Sequence, residues 1–396
     1  METTSFKGSI SVREIDLHQS KDRSRFVKLL WKLYRPLAGK SSHDPHKAWV
    51  PPLRLAALDQ LKPTHPFYKT AEVRAFLATK NGKPVGRVMA IHNHRYNEYH
   101  NVNVGFFGFF ECANDGEVAH RLFECCEDFL RSRGATTLYG PVNPSTNYEC
   151  GLLIKGFEDP PQVMMTYNPP FYVPMIEKLG FKKAKDLLAY QFDIAKGFPE
   201  VVEKVAKRAE NPRNRDVKFR SVDMNVWDQE IENIKMIYNE AWEKNWGFVP
   251  MTDAEFDNLA KEMKQILDPD LAIICEVDGK AAGFILTLPD FNQVFKQIPT
   301  GKLLPRGIFK LLRPGKYINR LRTVIMGVRE DYRKLGLETA FYHKSWEVAK
   351  RKGYVEAEFS WILEDNHNMN KPILRMGAVP YKTYRIYEKS LYGDIL

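Results

Sequence analysis

The sequence predicts an α/β (α+β) chain built as two copies of one unit, each a mixed central sheet flanked by helices. Three observations carry this: an internal repeat, a matched pair of tight hairpins, and a strand that turns directly into a long amphipathic helix. The repeat comes first because it sets the domain count. "NGKPVGRVMAI" (81–91) matches "DGKAAGFILTL" (278–288); Gly82 and Gly279, like Gly86 and Gly283, stand 197 residues apart. "MIEKLGFKK" matches "PILRMGAVP" at the same 197-residue offset, Gly180 to Gly377. Between these anchors "FECCEDFLRSRGATTLYG" matches "HKSWEVAKRKGYVEAEFS", but Gly134 and Gly353 are 219 apart. The second copy therefore has about 22 extra residues before this point, and the first about 22 extra after it.

Each copy reads alike. An amphipathic helix opens it, "RFVKLLWKLY" in one and "EIENIKMIYNEAW" in the other. Two strands follow, joined by Asn81-Gly82 or Asp278-Gly279, residues that tolerate the positive φ of a two-residue hairpin. A strand, a long helix and another strand come next. A short helix ending in glycine and an alternating strand such as "YKTYRIYEK" close the unit. The basic segment 198–216, broken by Pro212, reads as the linker, which divides the chain into 1–195 and 196–396.

Composition narrows the class. The chain has 396 residues, suited to two domains of roughly 200. Hydrophobic content of 44% against 27% charged fits a folded globular protein, and no apolar run is long enough to span a bilayer. The N-terminus lacks the basic and apolar regions of a secretory signal. Five cysteines without C-x-x-C spacing fit reduced thiols and no metal site. These features place the chain in the cytoplasm. The net charge of +10 suits an anionic cofactor, an anionic membrane surface or nucleic acid; for nucleic acid no motif accompanies the charge.

The chemistry concentrates at "TVIMGVREDYRKLGLETAF". A β-rich run ends at Val328, and Arg333 and Gly336 precede a helix in which Leu337, Phe341 and Val348 recur at helical spacing. Such a turn aims free backbone N–H groups and the positive end of the helix dipole at one point, and glycine lets an anion come close. His343, farther along the helix, reads as solvated. The order of elements and this stretch resemble the GNAT superfamily of acyl-CoA N-acyltransferases, whose signature is V-x-x-x-x-[QR]-x-x-G-x-[GA]. Val328, Arg333 and Gly336 match in register; Glu338 stands where a small residue is usual, and must turn outward to spare a pyrophosphate. The resemblance covers most of both copies and implies a tandem GNAT chain. It implies acetyl-CoA or a longer acyl-CoA as co-substrate, held by Val328, Arg333, Lys334, Leu335, Gly336, Leu337, Glu338 and Asn366, with no metal. In the first copy Cys112 aligns with Arg333 and Asp115 with Gly336, so that copy is expected to have lost the cofactor and to shape the substrate site.

What the resemblance implies for the reaction is direct transfer of the acyl group from the thioester to a primary amine. Backbone N–H groups on the strand at Met326 and Val328 polarise the carbonyl, proximity does much of the work, and the amine must lose a proton. Many GNAT enzymes protonate the leaving thiolate with a tyrosine in N-x-x-A-x-x-x-Y-x-x-x-G. Counted back from Gly377, Asn366 matches but Ile373 replaces the tyrosine, as Ile176 does in the first copy. Either the thiolate leaves unassisted or another residue serves.

Two insertions distinguish the chain. The first, 140–172, is dense in Asn, Ser, Thr and Tyr. It reads either as a site lining or as a surface excursion whose polar groups satisfy turns. Its Glu149 is the candidate general base; Tyr167 and Tyr172 read as packing residues. The second, 291–322, carries eight Lys/Arg and no acid, interleaved with Leu303, Leu304, Ile308, Phe309, Leu311 and Leu312. That pattern suits an anionic membrane surface, peripheral to the inner membrane face, and also fits cofactor contact or a solvated loop. A lipid-like amine is thus the favoured acceptor. The alternatives are a non-catalytic acyl-CoA or membrane-binding scaffold, which Glu338, Ile373 and Ile176 favour, and a Fem-like aminoacyl transferase, which lacks its helical arm here.

Overall fold

The computed structural model describes residues 9–34, 45–212, 215–243 and 245–393. The first repeat runs β1 (Ile10–Ile15), α1 (Ser20–Tyr34), α2 (Arg54–Asp59), β2 (Ala71–Lys80), β3 (Lys83–Asn93), α3 (His94–His100), β4 (Val104–Cys112), α4 (Gly116–Ser132) and β5 (Thr137–Gly140). Short strands β6 (Val142–Asn143), β7 (Glu149–Cys150) and β8 (Leu152–Lys155), then α5 (Tyr172–Lys178) and β9 (Lys182–Asp193), complete it. The second runs α6 (Glu200–Glu210), β10 (Val217–Ser221), α7 (Trp227–Trp242), α8 (Asp253–Lys264), β11 (Ala272–Val277), β12 (Lys280–Pro289), α9 (Asn292–Phe295), α10 (Ile308–Leu311) and β13 (Arg320–Val328). It ends with α11 (Leu337–Arg351), β14 (Glu356–Leu363), α12 (His367–Arg375) and β15 (Val379–Ser390).

The two hairpins form as expected. Asn81 and Gly82 have φ of 52° and 74°, Asp278 and Gly279 have 52° and 75°, the left-handed pair that matches strand twist. Each repeat also gains a leading edge strand, β1 or β10, and a second helix, α2 or α8, that the hydrophobic pattern did not announce. The segment read as a linker contains α6 instead. Val202, Ala206 and Ala209 form its buried stripe, packed on α11.

Twelve strands join in one path, β1-β2-β3-β4-β5-β15-β9-β14-β13-β12-β11-β10, with β8 added against β15. The last strands of the two repeats are exchanged. β9, from the first, pairs antiparallel with β14 (Asp193 opposite Glu356), and β15, from the second, pairs antiparallel with β5 (Tyr387 opposite Gly140). They pair with each other in the centre. The second repeat buries both faces of its sheet. Ile273, Cys275 and Val277 of β11 face α11 and α12, while Ala272 and Ile274 face α7 and α8.

Candidate active site

The parallel strands β13 and β14 pair only from Arg320 opposite Glu356 to Thr323 opposite Phe359, then diverge. Val324 is bulged out of register with β12, since Leu286 faces Ile325 and Thr287 faces Thr323. Past the bulge, Arg329 N–H donates to Ala282 O at 2.9 Å, which sets the phase of the β12–β13 ladder. In an antiparallel ladder alternate residues point their backbone groups away from the partner strand. Met326 and Val328 therefore turn their amides into the gap left by β14. The Val328 carbonyl accepts from Arg333 Nε there at 3.3 Å.

A cavity of about 720 Å³ occupies that gap and reaches both faces of the sheet. On the α11 face it is walled by Arg333, Glu338, Thr339, Tyr342, Asn366 and Met369. On the α7 face the walls are Tyr238, Trp242, Trp246, Met251, Leu259 and Met263. The first repeat contributes Thr146, Asn147, Tyr148 and Met164. Thr146 Oγ1 donates to Gly247 O (2.6 Å), Asn147 Nδ2 to Val249 O (3.0 Å), and Tyr238 OH to Asn147 Oδ1 (3.1 Å). The 140–172 insertion thus lines the second repeat's cavity.

At the apex of the gap lies a buried polar knot that the sequence did not announce. Arg322 donates to Ser360 Oγ (2.8 Å), Ser360 O (3.0 Å) and Val163 O (2.9 Å), and stands 3.8 Å from Glu358. Glu358 is fully buried and also accepts from the hydroxyls of Ser360 and Tyr381. Each strand opens with two like charges in alternation, Arg320 and Arg322 on β13 and Glu356 and Glu358 on β14, and only the pairing of the strands shows that they meet.

Both repeats have a left-handed or extended residue leading the helix after the diverging strand, but the turns differ in length. Gly86 faces Cys112 and Gly283 faces Val328, so Cys112 is the counterpart of Val328, not of Arg333. Residues 329–335 then lead to Gly336, whereas Ala113 and Asn114 alone lead to Asp115. Gly336 and Asp115 do correspond, each as the N-cap of its helix. Gly336 has φ 74°, which disfavours a side chain, and nothing closer than 3.7 Å would meet an added Cβ. In the first repeat the Asp115 carboxylate itself accepts from Glu117 N (3.1 Å) and Val118 N (3.4 Å) and pairs with Lys80 (2.6 Å). A side-chain anion already occupies that helix end. The gap is filled too: a Cβ on Gly108 would lie 1.7 Å from Val142 O.

Solved structures share this architecture. A tandem GNAT protein from the clavulanic acid biosynthesis pathway superposes over 97% of this chain and 99% of its own, with TM-score 0.55 and 11% identity. A GCN5-related N-acetyltransferase from Sphaerobacter thermophilus covers 96% of both chains, with TM-score 0.53 and 12% identity. No protein-family model matches the chain. A bacterial ceramide synthase of Caulobacter vibrioides is 39% identical over 359 residues, 89% of this chain and 92% of the relative. The chain belongs to that family, and its fold is that of the tandem GNAT proteins. Protein YghO of Escherichia coli K12 is 33% identical over 359 residues, covering 88% and 89%.

In this acyltransferase four of the expected donor-site residues meet at one end of the cavity, while Leu337 is fully buried in the core and Leu335 packs against it. Val328, Arg333, Glu338 and Asn366 line it; Gly336 and Leu337 begin α11, and Lys334 is exposed beside them. Asn366 also caps α12, accepting from Met369 N at 3.2 Å. Glu338 does not turn outward. It is a partly buried wall residue, and burial raises its carboxyl against the opposing pull of its own amide and Arg333. Glu149 is not itself a wall residue, though its neighbour Tyr148 and Arg322 are. Burial pushes its carboxyl up to about 7, with Arg322 pulling it down. Ile373 and Ile176 are fully buried core residues, so no polar group stands at either position. His343, read as solvated, is buried with Nδ1 3.2 Å from Glu210, because α6 covers that face of α11. Tyr172 packs as expected, its hydroxyl donating to Glu111 at 2.9 Å. Among the described residues no cluster suited to a metal ion occurs, and no helix is long and apolar enough to cross a membrane.

Proposed function

We propose that this acyltransferase moves the acyl group of an acyl-CoA onto the primary amine of a long-chain, lipid-like acceptor. The observation that carries the reading is the cavity through the β13–β14 gap, whose α7 end is walled by aromatic, Met and Leu side chains. Such walls stabilise alkyl chains by about 0.8 kcal/mol per buried CH₂. The relative's name agrees, since a ceramide is the amide of a long-chain amino alcohol. In this reading the first repeat, 1–195, no longer binds a donor and supplies cavity wall, while the second, 196–396, holds the CoA pyrophosphate at residues 333–338.

The reaction follows from the groups facing the gap. The Met326 and Val328 amides donate to the thioester oxygen as it becomes an oxyanion. The amine nitrogen attacks the carbonyl carbon, the C–S bond breaks, and its electron pair leaves with sulfur. Glu149 receives the proton lost by nitrogen through intervening water, because its carboxylate stands behind the wall. A base near pH 7 is well matched to that task.

The acceptor arrives from an anionic bilayer. In 291–322, Leu304, Phe309 and Leu312 are 74%, 66% and 70% exposed. Lys302, Arg306, Lys310, Arg313 and Lys316 have no carboxylate partner among the described residues. The segment's inner side packs beside the cavity, with Phe291 and Val294 against Val163 and Met164. The deciding experiment supplies purified protein with palmitoyl-CoA and either a long-chain amino alcohol or a short water-soluble amine. Mass spectrometry is expected to find the long-chain amide. No amide, or equal turnover of the short amine, overturns the reading.

A further inference from the structure

The acyl transfer just described leaves one charge unattended. When the C–S bond breaks, negative charge grows on sulfur at the α11 end of the gap, and the position that GNAT enzymes often fill with tyrosine is the buried Ile373. Among the polar walls at that end, Thr339 offers only an aliphatic alcohol on a partly exposed residue, a weaker hydrogen-bond donor than a phenol. Arg333 lies at the exposed rim and is engaged with the Val328 carbonyl. Glu338 is a carboxylate. Asn366 is held as a helix cap. Tyr342 differs from all four. It is 4% exposed, and its ring packs edge-on against Phe359 with centroids 4.9 Å apart. Phe359 is the last residue of β14 paired to β13, so the Tyr342 ring sits where the strands part. Tyr342 is a cavity wall residue, and its hydroxyl makes no hydrogen bond to any described residue.

We propose that Tyr342 is the hydrogen-bond donor to the departing sulfur, taking over from α11 the role that Ile373 on α12 cannot serve. The inference rests on the acyl-CoA reading above. No proton need change hands in the step: sulfur departs as thiolate with the C–S electron pair, the phenol O–H donates to it, and the thiolate takes its proton from solvent on release. Glu338 lies one helical turn before Tyr342, four residues back on the same face of α11. Burial and the Glu338 charge together push the phenol well above its ordinary value, so the hydroxyl stays protonated across the working range. Two departures from the signature, Glu338 and Ile373, thereby acquire one explanation: the donor has moved helix, and the acid beside it keeps it a donor.

Tyr342→Phe removes only that hydroxyl, which no described group needs for folding. With palmitoyl-CoA, kcat is expected to fall about 100-fold while KM changes little. With the palmitoyl thioester of 4-nitrothiophenol, whose thiolate leaves unaided, the ratio of wild-type to variant kcat/KM is expected within about threefold of one. The same loss with both donors, or no loss with palmitoyl-CoA, overturns the proposal. Wild-type protein that makes no amide from either donor refutes the acyl-transfer reading instead, and CoA titration of Tyr342→Phe shows the donor site intact.

Discussion

Asn143 Oδ1 accepts a hydrogen bond from the Phe109 N–H at 2.7 Å. That bond closes in the first repeat the gap which in the second stays open beside Met326. Phe109 lies at the irregularity of β4, where Arg87 faces Glu111 but Met89 faces Gly108. An amide presented by a strand distortion is, in one repeat, consumed by the insertion; in the other, the Met326 and Val328 amides point into the open gap.

Asn143→Ala should leave the Phe109 amide without its partner. The expected cost is about 1–3 kcal/mol, read as a lower denaturation midpoint. An unchanged midpoint would show that water replaces the side chain without loss.

One CoA per chain is expected from calorimetric titration, because the first repeat has a two-residue turn and its own Asp115 at the helix end. Gly336→Asp should abolish binding. It places a side chain at φ 74°, costing about 1–2 kcal/mol, and adds negative charge to the anion site. Two sites, or a variant that binds normally, would contradict this.

If Glu149 is the base, stability and activity are expected to move oppositely with pH. Its carboxyl is raised to about 7 in the folded chain, from 4.5 ordinarily. Between these values the folded state keeps a proton that the unfolded state has released, so stability falls as pH rises through this window. Glu149→Gln should remove that decline, with a gain on the order of 1–3 kcal/mol above pH 7. Activity of the parent should rise through about pH 7 as the base is freed, and the variant should lose that limb. A variant with the parent's pH–rate profile would exclude Glu149 as the base.

Replacing Lys310, Arg313 and Lys316 with glutamine should release the protein from anionic vesicles. Each cation near such a surface contributes about 1 kcal/mol, so partitioning should fall on the order of 100-fold. Flotation with phosphatidylglycerol vesicles measures this; CoA titration should be unaffected. Equal flotation of parent and variant would remove the membrane from the account.

The residues of the repeat were legible because their signals are local. Asn-Gly and Asp-Gly turns, the Gly336 cap and the apolar Ile373 depend on neighbours within a few positions, and the structure has each in the expected conformation or burial. The length of the first repeat's turn was misread for a related reason. A ladder register, Gly86 to Cys112 and Gly283 to Val328, is a pairing between distant residues that a one-dimensional alignment does not see.

By itself, then, the sequence determined the paired units, their hairpins and the glycine-led start of α11, since backbone preference and hydrophobic period act over short spans. Tertiary structure alone decided that β9 and β15 change places, because two alternating strands of like pattern present interchangeable edges and only packing chooses between them. It also decided which gap is filled, how deeply Glu149 and Tyr342 lie, and that Arg322 meets Glu358. Those outcomes depend on burial, and burial is set by groups far apart in the chain.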